Sequence, residues 1–239
     1  MYQFRFYRFW TKNSDLVSYS VSVGETDLLI RSPKKLSSKA EKSVLKYRKL
    51  LIEYIGNNPE FMRSMKPVEP RGNPPEIVKD MLAAGRKADV GPMAAVAGAI
   101  AERVGNDLLE STGEIIIENG GDIFLKLSRP RKIGIYAGET KFSNKLAIEV
   151  EPGQTPMGIC TSSATVGHSL SMGKADAVVI LSRSAALADA VATAACNRVK
   201  KEDDIPLAIE FAKNIPNVTG GVIIIRDRMA AWGDVKLAE

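Results

Sequence analysis

Asp189 and Thr193 stand four residues apart in the run Ala188-Asp-Ala-Val-Ala-Thr193. On a helix that spacing puts a carboxylate and a hydroxyl on one face, one turn apart. Both are hard oxygen donors. Mg²⁺ prefers such donors and is commonly held by one or two protein groups together with water and substrate phosphates, so two residues are chemically sufficient. The same pair also fits an ordinary helix face, with Asp189 favouring the first turns of its own helix through the macrodipole.

Two further segments are rich in groups that can touch a ligand. Glu118-Asn119-Gly120-Gly121-Asp122 has the composition of a hairpin turn, since Asn-Gly and Gly-Gly supply the positive φ angles that tight turns need. It also offers side-chain-free backbone at Gly120 and Gly121 flanked by the polar groups of Asn119 and Asp122, which lets a ligand come close. The segment Thr161-Ser162-Ser163-Ala-Thr-Val-Gly-His168-Ser is dense in hydroxyls and holds the single histidine of the chain. A Ser/His/Asp hydrolase would need a nucleophile elbow such as GxSxG, and the sequence has none. A polar loop that contacts a ligand is the better reading of these residues.

The elements that must position these groups alternate in type. Residues 18–23 and 26–31 predict a hairpin turning at Gly24-Glu25. Ser38-Lys-Ala-Glu41 fits a capping box opening a helix that runs to about Ile55, with Leu45, Leu50, Leu51 and Ile55 marking its apolar face. A connection with four prolines follows at 67–75. Pro75 suits the first position of a helix over 76–84 that stops near Gly85. A second helix, over 92–104, has small residues that permit close backbone approach. Strands are expected over 1–10, 114–118, 122–127, 132–137, 146–150, 158–161 and 175–181. An Ala-rich helix over 184–199 carries Asp189 and Thr193, and a strand pair at 221–226 and 229–232 closes the chain. The expected class is α+β, with mixed or antiparallel sheets and packed helices, in one domain over 1–239. Within it we distinguish a basic N-terminal part (1–66), the Pro-rich connection (67–75) and the remaining core (75–235).

Bulk properties narrow the classes. The chain of 239 residues is 45% hydrophobic and 26% charged, an ordinary globular composition. Its two cysteines, Cys160 and Cys196, form no CxxC pair, so both are expected reduced and buried. No window reaches the roughly 18 apolar residues of a membrane span, and the alternating N-terminus has no apolar export core. A soluble cytoplasmic protein is therefore expected. The first 87 residues hold 17 Lys and Arg against 9 Asp and Glu. Much of that excess lies in Lys34-Lys35, Lys39, Lys42, Lys46, Arg48 and Lys49, where Leu45, Leu50, Leu51 and Ile55 only mark an apolar helix face, so a charged helix face fits better than a nucleic-acid surface.

The order of Gly91-Pro-Met-Ala-Ala-Val-Ala-Gly98-Ala-Ile-Ala-Glu102, Glu118-Asn-Gly-Gly-Asp122, Thr161-Ser-Ser with His168, and Ala188-Asp-Ala-Val-Ala-Thr193 resembles the ApbE superfamily, and most of all its small cytosolic branch. Members of the superfamily are FAD:protein FMN transferases, which cleave FAD with a divalent cation and attach FMN to a Thr or Ser of an acceptor protein. The resemblance implies Mg²⁺ at Asp189 and Thr193, with a backbone carbonyl from residues 94–97 as a third ligand. FAD, or another phosphorylated ligand, would lie beside Asn119, Gly120, Gly121, Asp122, Thr161, Ser162 and Ser163. His168 corresponds to the histidine that opens a His-x-x-Asp-Pro-x-Thr-Gly motif and is the candidate catalytic residue. An acceptor protein is the implied partner, nucleic acid and membrane are not, and a homo-oligomer is compatible.

Three departures accompany the resemblance. Ala97-Gly98 stands where the transferases carry Lys-Gly, His168 continues as Ser-Leu-Ser-Met-Gly173, and the lipoprotein signal is absent. The expected activity is thus a Mg²⁺-dependent flavin transferase or FAD pyrophosphatase. The alternative is a ligand- or partner-binding protein that has lost transferase chemistry. The branch's association with anaerobic metabolism adds a role in sulfur assimilation, for which the residues themselves offer no chemistry.

Overall fold

The computed structural model describes residues 15–143, 145–164 and 172–238. The strand expected over 1–10 lies outside them, as does His168. The elements in chain order are β1 (Val17–Val23), β2 (Thr26–Ser32), α1 (Ser37–Asn57), α2 (Pro59–Arg63), α3 (Glu76–Ala88), α4 (Val96–Leu109), β3 (Ile115–Asn119), β4 (Asp122–Lys126), β5 (Arg131–Gly134), β6 (Ala147–Val150), β7 (Met157–Ser162), β8 (Ala177–Ser182), α5 (Ala185–Arg198), α6 (Ile205–Lys213), β9 (Val218–Ile225), β10 (Arg228–Gly233) and β11 (Lys236–Ala238). Short 3₁₀ turns at Pro92–Ala95, Pro152–Gln154 and Glu202–Asp204 link some of them.

Eight strands form one antiparallel sheet in the order β1-β2-β3-β4-β7-β8-β9-β10, and β11-β6-β5 form a second. Side chains alternate across the large sheet. On one face Ile115, Ile117, Phe124, Cys160, Val178, Ile180, Ile223 and Ile225 pack with residues of α1, α3, α4, α5 and α6. On the other, Ile116, Leu125, Met157, Ile159, Val179, Leu181, Val222 and Ile224 meet Ile133, Ile148 and Val150 of the small sheet. Helices, large sheet and small sheet therefore make three layers. Because both faces of its middle strands are covered, β8 is apolar from Ala177 to Leu181 and buried throughout. The fold is α+β with antiparallel sheets, as the sequence pattern predicts.

The basic N-terminal part joins the same sheet, since β2 pairs with β3. It also docks on α4, where Asp107 accepts hydrogen bonds from Ser43 Oγ at 2.7 Å and Tyr47 Oη at 2.9 Å.

Several boundaries depart from the sequence reading for identifiable reasons. The Ser38–Glu41 capping box is not made: α1 begins at Ser37, two residues before the start such a box implies, behind Leu36, which packs against the core. Its buried face is Ala40, Val44, Tyr47 and Leu51, while Leu45 is exposed. Gly85 does not stop α3, which continues to Ala88 and ends on a left-handed Asp89. Gly85 is small because the chain after the helix passes close by, and a Cβ there would lie 2.8 Å from the Val90 carbonyl oxygen. Pro75 flanks α3 rather than opening it, and β5 ends at Gly134. α2, α6 and β11 are additional to the sequence reading.

Candidate functional site

The helical face of the large sheet carries the candidate residues at one end of β3, β4 and β7. Asn119 and Asp122 close the β3–β4 hairpin as a register pair. Gly120 and Gly121 between them have φ of 70° and 105°, the two positive values that suit a tight hairpin turn. The Gly121 N–H donates to Glu118 Oε1 at 2.8 Å, which fixes the turn from the strand before it. Among the described residues, a Cβ on Gly121 would meet only the Thr161 carbonyl oxygen, at 3.9 Å.

Alternation sets Asn119 and Asp122 toward the helices, together with Cys160 and Ser162 of β7. The Thr161 side chain projects to the opposite face, and it is the Thr161 N–H that faces the site, donating to Asp122 Oδ1 at 3.3 Å. Ser162 is buried, and its hydroxyl has no hydrogen-bond partner among the described residues. Ser163 is also buried.

α5 lays Asp189 against this strand end. Ser184 caps the helix by accepting the Leu187 N–H at 3.4 Å. Ala-rich composition lets α5 sit close to its neighbours. A Cβ on Gly158 of β7 would lie 2.3 Å from the Ala185 Cα, and one on Gly98 of α4 would lie 2.3 Å from the Ala185 oxygen and 2.9 Å from the Asp189 Cβ. Asp189 is buried, and its Oδ2 accepts the Gly98 N–H at 2.9 Å. Thr193 follows one turn later, half-buried. Asn119 Nδ2 donates to the Ala97 carbonyl at 3.1 Å, tying the hairpin to the start of α4.

The electrostatics follow from this crowding. Burial pushes the Asp189 carboxyl up to about 7, against the pull of the Gly98 and Ala97 amides. Burial also raises Asp122 well above the usual carboxylate range, and the negative charges of Asp189 and Glu118 raise it further. The Cys160 thiol, which donates to the Ala185 carbonyl at 3.3 Å, is driven up by burial and then by the same two aspartates. Two buried acids that repel one another take up protons, or a cation, in preference to standing as two bare charges. Among the described residues no three His, Cys, Asp or Glu side chains group as a metal cluster. The acidic side chains that meet at this end of the sheet are Asp122 and Asp189.

Of the residues singled out in the sequence, Asn119, Gly120, Gly121, Asp122, Ser162, Ser163 and Asp189 gather at this end of the sheet, and Thr161 contributes its amide. Glu102, a further residue of the site, went unrecognised because its partners lie 82 to 84 positions away. Its place in the run Gly98-Ala-Ile-Ala-Glu102, one turn beyond the close-approach glycine, was the available signal.

This chain matches the family model described as AbpE bacteria over residues 8–216. The chain belongs to that family. Two curated proteins are similar to the chain over most of their length. A UPF0280 protein of Methanocaldococcus jannaschii is 42% identical over 221 residues, covering 90% of each chain. One of Methanocella arvoryzae is 42% identical over 192 residues, covering 80% of this chain and 78% of that one. Among solved structures, the apo form of the flavinyl transferase ApbE of Pseudomonas stutzeri superposes with a TM-score of 0.57 at 12% identity, covering 91% of this chain and 94% of that one. The apbe protein of Thermotoga maritima gives 0.54 at 12% identity, with coverages of 90% and 96%. These likenesses establish a shared fold. No helix among the described residues is long and apolar enough to cross a membrane.

Proposed function

We propose that this end of the sheet binds FAD, or a related phosphorylated ligand, through Mg²⁺, and that flavin transfer to a protein Thr or Ser is the reaction it serves. The observation that carries the reading is the burial of Asp122 and Asp189 together, beside the Gly120-Gly121 turn and the first amides of α4. Such a pair is unfavourable as two free carboxylates and is relieved by a divalent cation. The donors are all hard oxygens, which fits Mg²⁺.

In this reading Asp189 and Thr193 hold the ion, with a carbonyl from residues 94–97. Bound Mg²⁺ would supply charge neutralisation at a pyrophosphate. The chain's own residues do the rest. Gly121, whose Cβ position is clear of the described residues but for the Thr161 carbonyl oxygen, would leave room for the ligand. The buried Ser162 hydroxyl, without a partner among the described residues, and the Ser163 segment would orient its polar groups, and the Thr161 amide fixes Asp122. Burial and the neighbouring charges of Asp189 and Glu118 favour the protonated form of Asp122, and arriving positive charge would favour its ionised form. His168, in the segment that follows Ser163, is the candidate catalytic residue. The reading also places the protein in the cytoplasm, with an acceptor protein as partner.

Calorimetry of the purified protein with FAD, with and without MgCl₂, tests this, alongside chromatography for AMP. We expect Mg²⁺-dependent binding that D189A abolishes. Binding that is absent, or indifferent to D189A, overturns it. A second reading, binding without turnover, is favoured by one observation: Asp189 already caps α4 through Gly98, and Ala97 supplies no side-chain cation there. It expects Mg²⁺-dependent binding with no AMP formed.

A further inference from the structure

Helices α4 and α5 exchange carboxylates. The first amides of any helix lack partners within it. At the start of α4 the Gly98 N–H finds Asp189 Oδ2 of α5 at 2.9 Å. At the start of α5 a single oxygen, Glu102 Oε2 of α4, accepts the Ala185 N–H at 2.8 Å, the Ala186 N–H at 3.2 Å and the Ser184 hydroxyl at 3.0 Å. Gly98 and Glu102 are one turn apart on α4, and Ala185 and Asp189 are one turn apart on α5. The two helices thus meet antiparallel, each N-terminus held by an acid one turn inside the other. The gap is closed by the missing side chain of Gly98, which leaves no slack between the Ala185 carbonyl and the Asp189 Cβ.

From this geometry we infer that Glu102 is a positioning residue: by clamping the first turn of α5 it sets where the Asp189 carboxylate stands against Asp122 and the β3–β4 hairpin. Its consequence for Mg²⁺ rests on the function proposed above, whereas its consequence for Asp189 does not. Glu102 is suited to the task because three donors converge on one carboxyl oxygen, an arrangement that Ala cannot reproduce and Gln reproduces only in part. Removing it frees the start of α5 to shift while Asp189 itself stays in the chain. The effect should then appear at Gly98, a residue Glu102 does not bond.

The test compares wild type, E102Q, E102A and the control R103A by amide hydrogen exchange and by FAD titration at several MgCl₂ concentrations. Arg103 is the next residue of α4 and pairs with Asp80 of α3 at 2.7 Å, so R103A loosens the same helix without touching α5. We expect E102A to reduce protection of the Gly98 amide at least about ten-fold, beyond the change in overall stability, with R103A showing no such excess. We expect apparent Mg²⁺ affinity to fall about ten- to a hundred-fold in E102A and less in E102Q, with metal-free FAD binding unchanged. Unchanged Gly98 protection in E102A, or an equal excess loss in R103A, overturns the inference. So does an unaltered Mg²⁺ dependence in a protein whose wild type shows one. If the wild type takes up no FAD with Mg²⁺, the proposed function fails, and the Gly98 amide alone decides whether Glu102 positions Asp189.

Discussion

Gly98 of α4 and Ala185 of α5 approach so closely that a Cβ on Gly98 would stand 2.3 Å from the Ala185 carbonyl oxygen. The obstacle is backbone, which cannot rotate away as a side chain would. Gly98→Ala gains about 1 kcal/mol of helix propensity, but it must separate the helices and stretch the Gly98–Asp189 hydrogen bond. Overpacking of this kind costs about 1–3 kcal/mol, and the lost bond adds about 1.5–3 because its acceptor is a carboxylate. We expect net destabilisation of roughly 2–4 kcal/mol in urea unfolding. A neutral or stabilising G98A would show that the α4–α5 contact is looser than described.

Asp189 makes stability depend on pH in a defined direction. Its folded value of about 7 lies above the ordinary 3.8, so the native state binds the extra proton. Its contribution is fully present below pH 4 and is lost as pH rises towards 7, by up to about 1.4 kcal/mol per pH unit. Asp122, raised in part by the charge of Asp189, adds to the same trend. Asp189→Asn removes the first group and relieves the second. Measured without metal from pH 4 to 8, the stability of wild type relative to D189N should fall steadily as pH rises. A flat difference would mean that Asp189 is not held protonated by burial.

How much of this was legible in the sequence differs from residue to residue. The Asn119–Asp122 turn and the α5 face bearing Asp189 and Thr193 are local patterns, and local spacing determines them. That Asp122 and Asp189 share one buried place depends on the order β4-β7 and on α5 folding back over β7, which no local spacing encodes. Glu102 was hidden for the same reason. The side-chain direction of Thr161 required the register of β7 to be known. α6 was missed although its signal was present: acidic Glu202-Asp-Asp204 followed by Pro206 in the first turn. Gly85 was misread because glycine punctuates helices and also admits a passing chain, and only packing separates the two.

Arg131 joins three segments across the second core. Its Nε donates to Glu114 Oε1 at 2.9 Å, and its two terminal nitrogens grip Asp15 at 2.7 Å each. The Arg131 and Glu114 side chains are only 5% and 4% exposed, so neither charge is well solvated alone. Arg131→Ala should lower stability by about 3–5 kcal/mol by stranding Glu114. R131A combined with E114Q should recover part of that loss. A double variant as unstable as the sum of the two singles would show that the pair does not interact.

Thr193 offers the cleanest separation of metal binding from folding. It is half-buried on α5, one turn beyond Asp189, and Val replaces its hydroxyl with a methyl of similar size. Thr193→Val should leave stability in EDTA within about 1 kcal/mol of wild type. If the hydroxyl helps to hold Mg²⁺, the apparent Mg²⁺ affinity in the presence of FAD should fall about ten-fold or more, since even groups outside the ligand set contribute that much. Wild type should gain thermal stability with FAD and MgCl₂ together and lose the gain on adding EDTA, because a ligand bound only to the native state stabilises it by mass action. Uptake of the ion should also release protons near pH 7, since Asp189 is partly protonated there. T193V with undiminished Mg²⁺ affinity would remove Thr193 from the metal site and leave Asp189 to act with water and backbone oxygens alone.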